Sequence, residues 1–406
     1  MVEPYYDAYV FTRTSGGELT RVGQLSARPP VGTFRYDSQW LENRDAYPLD
    51  PENLPLKAHT FRTTNRKAVF GVFTDAGPDD WGTRVLLLNN SSTPKNEIER
   101  LLRTSGSGVG TLAFSLSRSA TRPASQPPDI TLLAELSNVI QKVSERETLT
   151  SDQLALIEPG SSMGGARPKV VVCEGEESWL VKFSRVSDPV DIPRLEYATM
   201  KLLFQAGFHV PEVRLEELGN GQTAFLIKRF DRTPGQPVHF LSANSLFNLD
   251  RVRTVRDSKL NPYSYINLAR ILRHHSSEPE RDCHELFRRM VFNILIGNVD
   301  DHARNHGMIY EINQQRWGIA PAYDVLPTIH GAQGRQAMGV GVDGANSTKT
   351  NALSYANLFM LDKTTANRFY SEVKAIAEEL PHFAQQAGMA AAEQSILTSF
   401  LKATTS

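Results

Sequence analysis

The sequence predicts an α+β protein with two lobes, a mixed α/β N-terminal part and a helical C-terminal part. Three observations lead there. The first 115 or so of the 406 residues are short β-rich runs broken by turn residues. A strand, strand, helix, strand order follows between residues 169 and 232. From about residue 240 onward the apolar residues recur mostly at helical spacing.

The elements follow in order. "YDAYVFTR" has the composition of a strand, and "SGGE", "ARPP" and "DAGPDDWG" are turn material. "SRSATRPASQPPD", residues 117–129, holds three prolines and little to bury, so it reads as a linker or long loop. "TLLAELSNVIQKV" places Leu132, Leu133, Leu136, Val139, Ile140 and Val143 on one helical face. "KVVVCE", "WLVKFSR" and "TAFLIKRFDR" read as strands. "RLEYATMKLLFQAG" between the last two reads as a helix stopped by Gly207. The domain boundaries expected are 1–125, 126–235 and 236–406, a leading domain, a small sheet lobe and an all-helical lobe. The cleft between two such lobes is the expected ligand site.

Composition narrows the function classes. Hydrophobic residues make up 40% and charged residues 22%, as in folded globular chains. The net charge of −1 gives no bulk attraction to nucleic acid or membrane. Two distant cysteines, Cys173 and Cys283, form neither a disulfide framework nor a zinc ligand set and suit a reducing, cytoplasmic setting. "MVEPYYDAYVFTRTSGG" lacks the basic start and apolar stretch of a signal peptide, and no apolar run reaches the length of a membrane span.

The chemistry concentrates in "IGNVDDHARNHG", residues 296–307. Leu286, Phe287, Met290, Val291, Ile294 and Leu295 build an apolar helix ahead of it, which Gly297 ends. Asp300, Asp301, His302, Asn305 and His306 therefore sit on a loop held by a rigid element, a common placement for catalytic groups. Asp300 and Asn305 are five apart, the spacing at which protein kinases set a catalytic Asp and a magnesium-binding Asn. "WGIAPAYDVLPT" adds Asp324 behind a strand-like run, in the role of a second magnesium ligand. Taken singly, each acidic residue is as well explained as a helix cap or turn former.

Upstream, "PGSSMGGARPKVVV" sets glycines before a strand, where backbone amides can approach phosphates. It is no Walker A motif, since Ala166-Arg167 follows Gly165. An ordinary flexible loop explains it equally well. Lys182 lies among apolar neighbours in "WLVKFS", and Glu196 on the next helix is a candidate partner for it. The backbone of Lys228 to Phe230 is placed to bond adenine and Asp231 to take ribose hydroxyls; Phe230 as plain core and Asp231 as an arginine partner stay open.

In order, Ser162, Lys182, Phe230, Asp231, Asp300, His302, Asn305 and Asp324 resemble the HipA-type toxins, bacterial serine/threonine kinases. "SSMGGARPK", "FDR", "NVDDHARN" and "APAYDVLPT" carry the resemblance, and "FRYDSQWL" and "GPDDWGTRVL" extend it to the leading domain. The resemblance implies a two-lobed kinase fold related to phosphoinositide kinases, with an all-helical C-lobe. It implies Asp300 as catalytic base, Asn305 and Asp324 as Mg2+ ligands, and Lys182 on the ATP phosphates. The stretch from Lys228 through Phe230 to Asp231 would hold the nucleoside, His302 and Tyr323 would lie beside the nucleotide, and Gly164 and Gly165 would belong to its phosphate loop. Ser162, or its neighbour Ser161, matches an autophosphorylated serine whose added charge would switch the enzyme off. The implied partners are a small helix-turn-helix antitoxin of HipB type, DNA through that antitoxin, and a protein substrate such as an aminoacyl-tRNA synthetase, with growth arrest as outcome. Rival readings are a lipid or small-molecule kinase on the same fold and a catalytically inert co-repressor. A metallophosphoesterase lacks the upstream Asp-x-His and Gly-Asp motifs it needs.

Overall fold

The computed structural model describes residues 5–78, 80–89, 93–104, 108–123, 125–157, 167–185, 187–218, 221–234, 236–248, 261–331 and 333–405. The first elements are β1 (Asp7–Arg13), β2 (Leu19–Arg28), β3 (Val31–Tyr36), α1 (Ser38–Leu41), β4 (Thr60–Thr63), α2 (Gly71–Asp75), α3 (Asp80–Asn89), α4 (Glu97–Leu102) and β5 (Ala113–Ser115). Next come α5 (Leu133–Glu145), α6 (Ser151–Ile157), β6 (Lys169–Glu174), β7 (Glu177–Phe183), α7 (Ile192–Gln205), β8 (Val213–Glu217), β9 (Thr223–Lys228), β10 (Arg232–Thr233), β11 (Gln236–Ser242) and α8 (Ala243–Leu246). The chain continues through α9 (Tyr265–His275), α10 (Pro279–Leu295), β12 (Gly307–Glu311), β13 (Arg316–Ile319), α11 (Lys349–Leu353), α12 (Lys363–Glu378), α13 (Leu380–Gln386) and α14 (Ala391–Thr405). Two compact units result. One takes Met1–Phe183, Ile227–Asp250 and Ile309–Arg316; the other takes Ser184–Leu226, Arg251–Met308 and Trp317–Ser406.

In the first unit a five-stranded antiparallel sheet runs in the order β4-β3-β2-β1-β5. Ala8 and Val10 alternate with the half-exposed Tyr9, as a sheet with one buried face requires. A bulge between Val10 and Phe11 breaks the alternation and turns Phe11 inward as well. Val22, Leu25, Phe34 and Phe73 complete the core, with the Phe34 and Phe73 rings 5.0 Å apart. The first 115 residues also contain α1 to α4, which the strand-only reading did not include. These helices have 4 to 10 residues, too few turns for a helical period to stand out.

Further along this unit, α5 buries Leu133, Leu136, Val139 and Ile140, the face its spacing predicts. The carbonyl of Pro128, at the end of the proline-rich stretch, accepts the Cys173 amide at 2.8 Å and so ties that stretch to β6. β6 and β7 pair antiparallel, and Val170, Val171 and Val172 are all buried, so this sheet is covered on both faces.

The second unit is built on α10. Its partners include α9 and α12, and α7 packs on α13. Asp191 caps α7 by accepting the Arg194 amide at 3.1 Å, Pro193 enters in the first turn, and Gly207 follows the helix at φ +74°. Among the described residues no helix is long and apolar enough to cross a membrane. The stretch 236–406 is not all-helical: β11, β12 and β13 lie within it. "GMIYE" and "RWGI" are short alternating runs joined by a turn, which is hairpin material rather than helix.

Candidate active site

The site in the second unit starts at the end of α10. Glu280 and Asp282 in its first turn complement the positive end of the helix, and Leu286, Phe287, Met290, Val291 and Ile294 are buried. At the other end Gly297 takes φ +67°. Its amide bonds the Ile294 carbonyl at 3.3 Å and the Asn298 amide bonds the Asn293 carbonyl at 2.9 Å, the paired bonds of a Schellman stop. The chain therefore leaves the helix in one fixed direction.

The loop that follows separates its polar residues sharply. Asp300 is exposed, whereas Asp301 is 1% exposed. One oxygen of Asp301, Oδ2, accepts from Asn293 Nδ2 of α10 at 2.7 Å, from Tyr265 Oη of α9, and from His306 Nε2 at 2.9 Å. The Ala303 amide donates to Tyr263 Oη at 3.1 Å, and the Asn305 amide to the His302 carbonyl at 2.8 Å. Asn305 is 8% exposed, and its Nδ2 donates to the Asp300 carbonyl at 3.4 Å, which turns Oδ1 away as the atom available to a cation. His302 is half-buried, and its Nδ1 has no partner among the described residues.

β12 and β13 carry the chain out from this loop and back. At their root the Ala320 amide donates to the Gly307 carbonyl at 2.9 Å. Arg289 then fixes the returning strand: its Nη1 donates to the Ala320 carbonyl at 2.8 Å, while its Nε holds Glu285 at 2.8 Å. Hydrogen bonds join the loops directly, among them Thr328 Oγ1 to Asn298 Oδ1 at 3.4 Å. Tyr323 Oη donates to the Arg304 carbonyl at 2.8 Å, and the Thr328 amide to the Gly297 carbonyl at 3.1 Å. Asp324, half-buried between them, sits at φ +59°, a left-handed backbone that few residues other than glycine adopt. The stretches carrying Asp300, Asn305 and Asp324 are thus joined to each other. Asn305 Oδ1 and the Asp324 carboxylate are hard oxygen donors of the kind magnesium takes. Among the described residues no three His, Cys, Asp or Glu side chains gather as a metal centre.

The first unit holds the other candidates. Lys182 is 7% exposed and lies directly opposite Lys169, 2% exposed, in the β6–β7 register. Directly opposed residues share a face, so both lysine side chains leave the hairpin on the same side. Sequence reasoning missed Lys169; its place at the head of "KVVV", opposite Lys182 in a hairpin, is the signal that marks it. Glu196 is a buried residue of α7 in the second unit. Lys228 pairs with Glu177 and lies over the Trp179 ring at 5.8 Å. The Arg229 amide donates to the Ser178 carbonyl at 2.8 Å, so among the backbone groups of 228–230 this one is already used. Phe230 is half-buried with its ring 5.9 Å from that of Phe240.

Asp231 does not fit the ribose role expected of it. It is 2% exposed and bonded to Arg229 at 2.7 and 3.0 Å and to the Gly110 amide at 2.8 Å. Burial disfavours its charge, but the Arg229 and Arg232 guanidiniums outweigh burial and hold its pKa below the ordinary carboxylate value. Both oxygens serve an internal ion pair. Ser161, Ser162, Gly164 and Gly165 lie outside the described residues.

Comparison with known proteins gives a consistent family. The HipA N-terminal domain model matches residues 17–115 and the HipA-like C-terminal domain model residues 161–387. Y4dM of Sinorhizobium fredii, whose name proposes a kinase, is 32% identical over 188 residues, 44% of this chain and 43% of that protein. A Haemophilus influenzae protein named in the same way is 30% identical over 185 residues, 41% of this chain and 52% of that protein. The chain thus spans about half the length of these two relatives. Among solved structures, HipA of Shewanella oneidensis MR-1, determined with HipB and operator DNA, superposes with a TM-score of 0.70 at 18% identity, covering 97% of this chain and 95% of that one. That likeness establishes a shared fold. With the C-terminal model alone matching more than half of the sequence and the N-terminal model preceding it, the chain belongs to the HipA family.

Proposed function

We propose that the protein is an ATP-dependent kinase of the HipA toxin type, transferring the γ-phosphoryl group to a serine or threonine hydroxyl of a host protein. The observation that carries this reading is the pairing of an exposed Asp300 and an anchored Asn305 with Asp324, on two loops bonded to each other. Family membership and the kinase names of the relatives support it.

In the proposed reaction the acceptor oxygen bonds to the γ-phosphorus as the bond to the β,γ-bridging oxygen breaks. The hydroxyl proton passes to the Asp300 carboxylate, and ADP leaves. Magnesium, when bound, would neutralise phosphate charge, and Asn305 Oδ1 with the Asp324 carboxylate would hold it. Lys182, with Lys169 beside it, would supply positive charge to the phosphates, as would the backbone at Gly164 and Gly165. His302 and Tyr323 would lie beside the nucleotide, with Lys228 and Phe230 toward the nucleoside. Ser162, or Ser161, would be the autophosphorylation site. A helix-turn-helix antitoxin, DNA bound through it, and an aminoacyl-tRNA synthetase as acceptor complete the proposal. The Shewanella protein's structure with HipB and operator DNA supports the antitoxin part.

The test is Mg2+-dependent transfer from [γ-32P]ATP to the pure protein and to host lysate, with phosphopeptide mapping. Asp300→Asn should lower the rate by about 100- to 10,000-fold through loss of the base; undiminished transfer refutes that role. A wild-type protein that transfers nothing yet joins an antitoxin–DNA complex would establish the co-repressor reading instead.

A further inference from the structure

The buried Asp301 is unused by the proposed chemistry, yet its carboxylate accepts three side-chain hydrogen bonds. We propose that Asp301 is a positioning residue for phosphoryl transfer: its carboxylate fixes the path of residues 300–306 and so aims Asp300 and Asn305. The inference rests on the kinase reading above.

Three elements meet on Asp301. Asn293 reaches it from the last turn of α10, Tyr265 from the first turn of α9, and His306 from the far end of its own loop. Cross-bracing by two helices and by a residue five positions on leaves the intervening backbone little freedom. Asp300 precedes this anchor directly, and Asn305 is adjacent to His306. The two groups assigned to the chemistry therefore each neighbour a residue of the brace in sequence.

Two details favour a role beyond filling space. His306 Nε2 faces the carboxylate at 2.9 Å and so carries the proton, while its Nδ1 is buried without a partner among the described residues. Leaving a polar atom so placed is unfavourable, and a purely apolar residue would fill the same space without it. Asn293 is itself held, because its Oδ1 accepts from Asn298 Nδ2 at 3.0 Å. The brace is thus continuous from the Schellman stop to the end of the loop.

The test compares the wild-type protein with Asp301→Asn, and with Val22→Ala as a control for general destabilisation in the first unit's core. Hydrogen exchange reads the loop without any ligand. Asp301→Asn should speed exchange at the Ala303 and Asn305 amides and leave the amides of α12 unchanged. Single-turnover transfer should fall about 10- to 100-fold, as for removal of a group that orients a metal ligand. The Mg2+ midpoint should move upward while the KM for ATP stays constant. Val22→Ala should lower Tm without altering exchange in the loop, the rate or the Mg2+ midpoint. A double variant, Asn293→Asp with Asp301→Asn, returns a carboxylate to the same contact and should recover part of the rate. Wild-type exchange and wild-type rate in a folded Asp301→Asn protein would overturn the positioning role while leaving the kinase reading in place. Absence of Mg2+-dependent transfer in the wild-type protein would instead overturn the kinase reading itself.

Discussion

Asp324 combines a demanding backbone with a demanding side chain. At φ +59° an ordinary L-residue loses roughly 1–2 kcal/mol, and Asn and Asp lose least after glycine. Two substitutions therefore separate shape from charge. Asp324→Asn should keep Tm within a degree or two, yet raise the Mg2+ requirement for transfer sharply. Asp324→Ala should raise the Mg2+ requirement at least as much and also cost about 1 kcal/mol of stability, read by urea unfolding. Residue type alone did not decide between a ribose-binding and an arginine-paired Asp231 in "FDR". The neighbouring Arg229 and Arg232 left the arginine-partner reading open, but the contact with Gly110, some 120 positions earlier in the chain, is one that no local pattern announces.

At the scale of elements, the site depends on how α10 stops. A Cβ at residue 297 would come within 2.7 Å of Gln333 Oε1 and 2.8 Å of the Phe400 ring, on top of the strain of its positive φ. Gly297→Ala should destabilise by about 1–2 kcal/mol or more in urea unfolding, and should also slow transfer, because the exit direction of the loop changes. The long elements were legible for a physical reason. α7 and α10 run 14 and 17 residues, so their apolar period repeats several times and Gly207 and Gly297 mark their ends. α1 and α2, at 4 and 5 residues, complete barely one turn and leave no period to read. The β12–β13 hairpin was partly read, as a strand-like run ahead of Asp324, but its membership in a lobe expected to be all-helical was not.

For the molecule as a whole, two buried carboxylates of the first unit give stability opposite dependences on pH. Asp50 is fully buried, and burial raises its pKa to about 7 against the bonds it accepts from Asn53 and Glu52. The folded state then keeps a proton that the unfolded chain releases above about pH 4, so stability declines as pH rises from there to about 7. Asp231 behaves in the reverse sense: its lowered pKa adds stability above about pH 4 that is lost on further acidification. Asp50→Asn should flatten the decline between about pH 4 and 7 in a series of urea midpoints; an unchanged slope would show that another group sets it. None of this was visible in composition, since the net charge of −1 counts carboxylates without saying which are buried.

The root of the β12–β13 hairpin, closed by Gly307 and Ala320, is the part that sets the distance between the loop at 296–307 and the loop at 320–328, whereas its tip at residues 312–315 does not. Natural insertions and deletions should accordingly accumulate at the tip across the family and be rare in the six residues on either side of the root. A tag or reporter peptide spliced after Asn313 should leave the geometry of Asp300, Asn305 and Asp324 intact, while a single residue added between Ala320 and Tyr323 should abolish it.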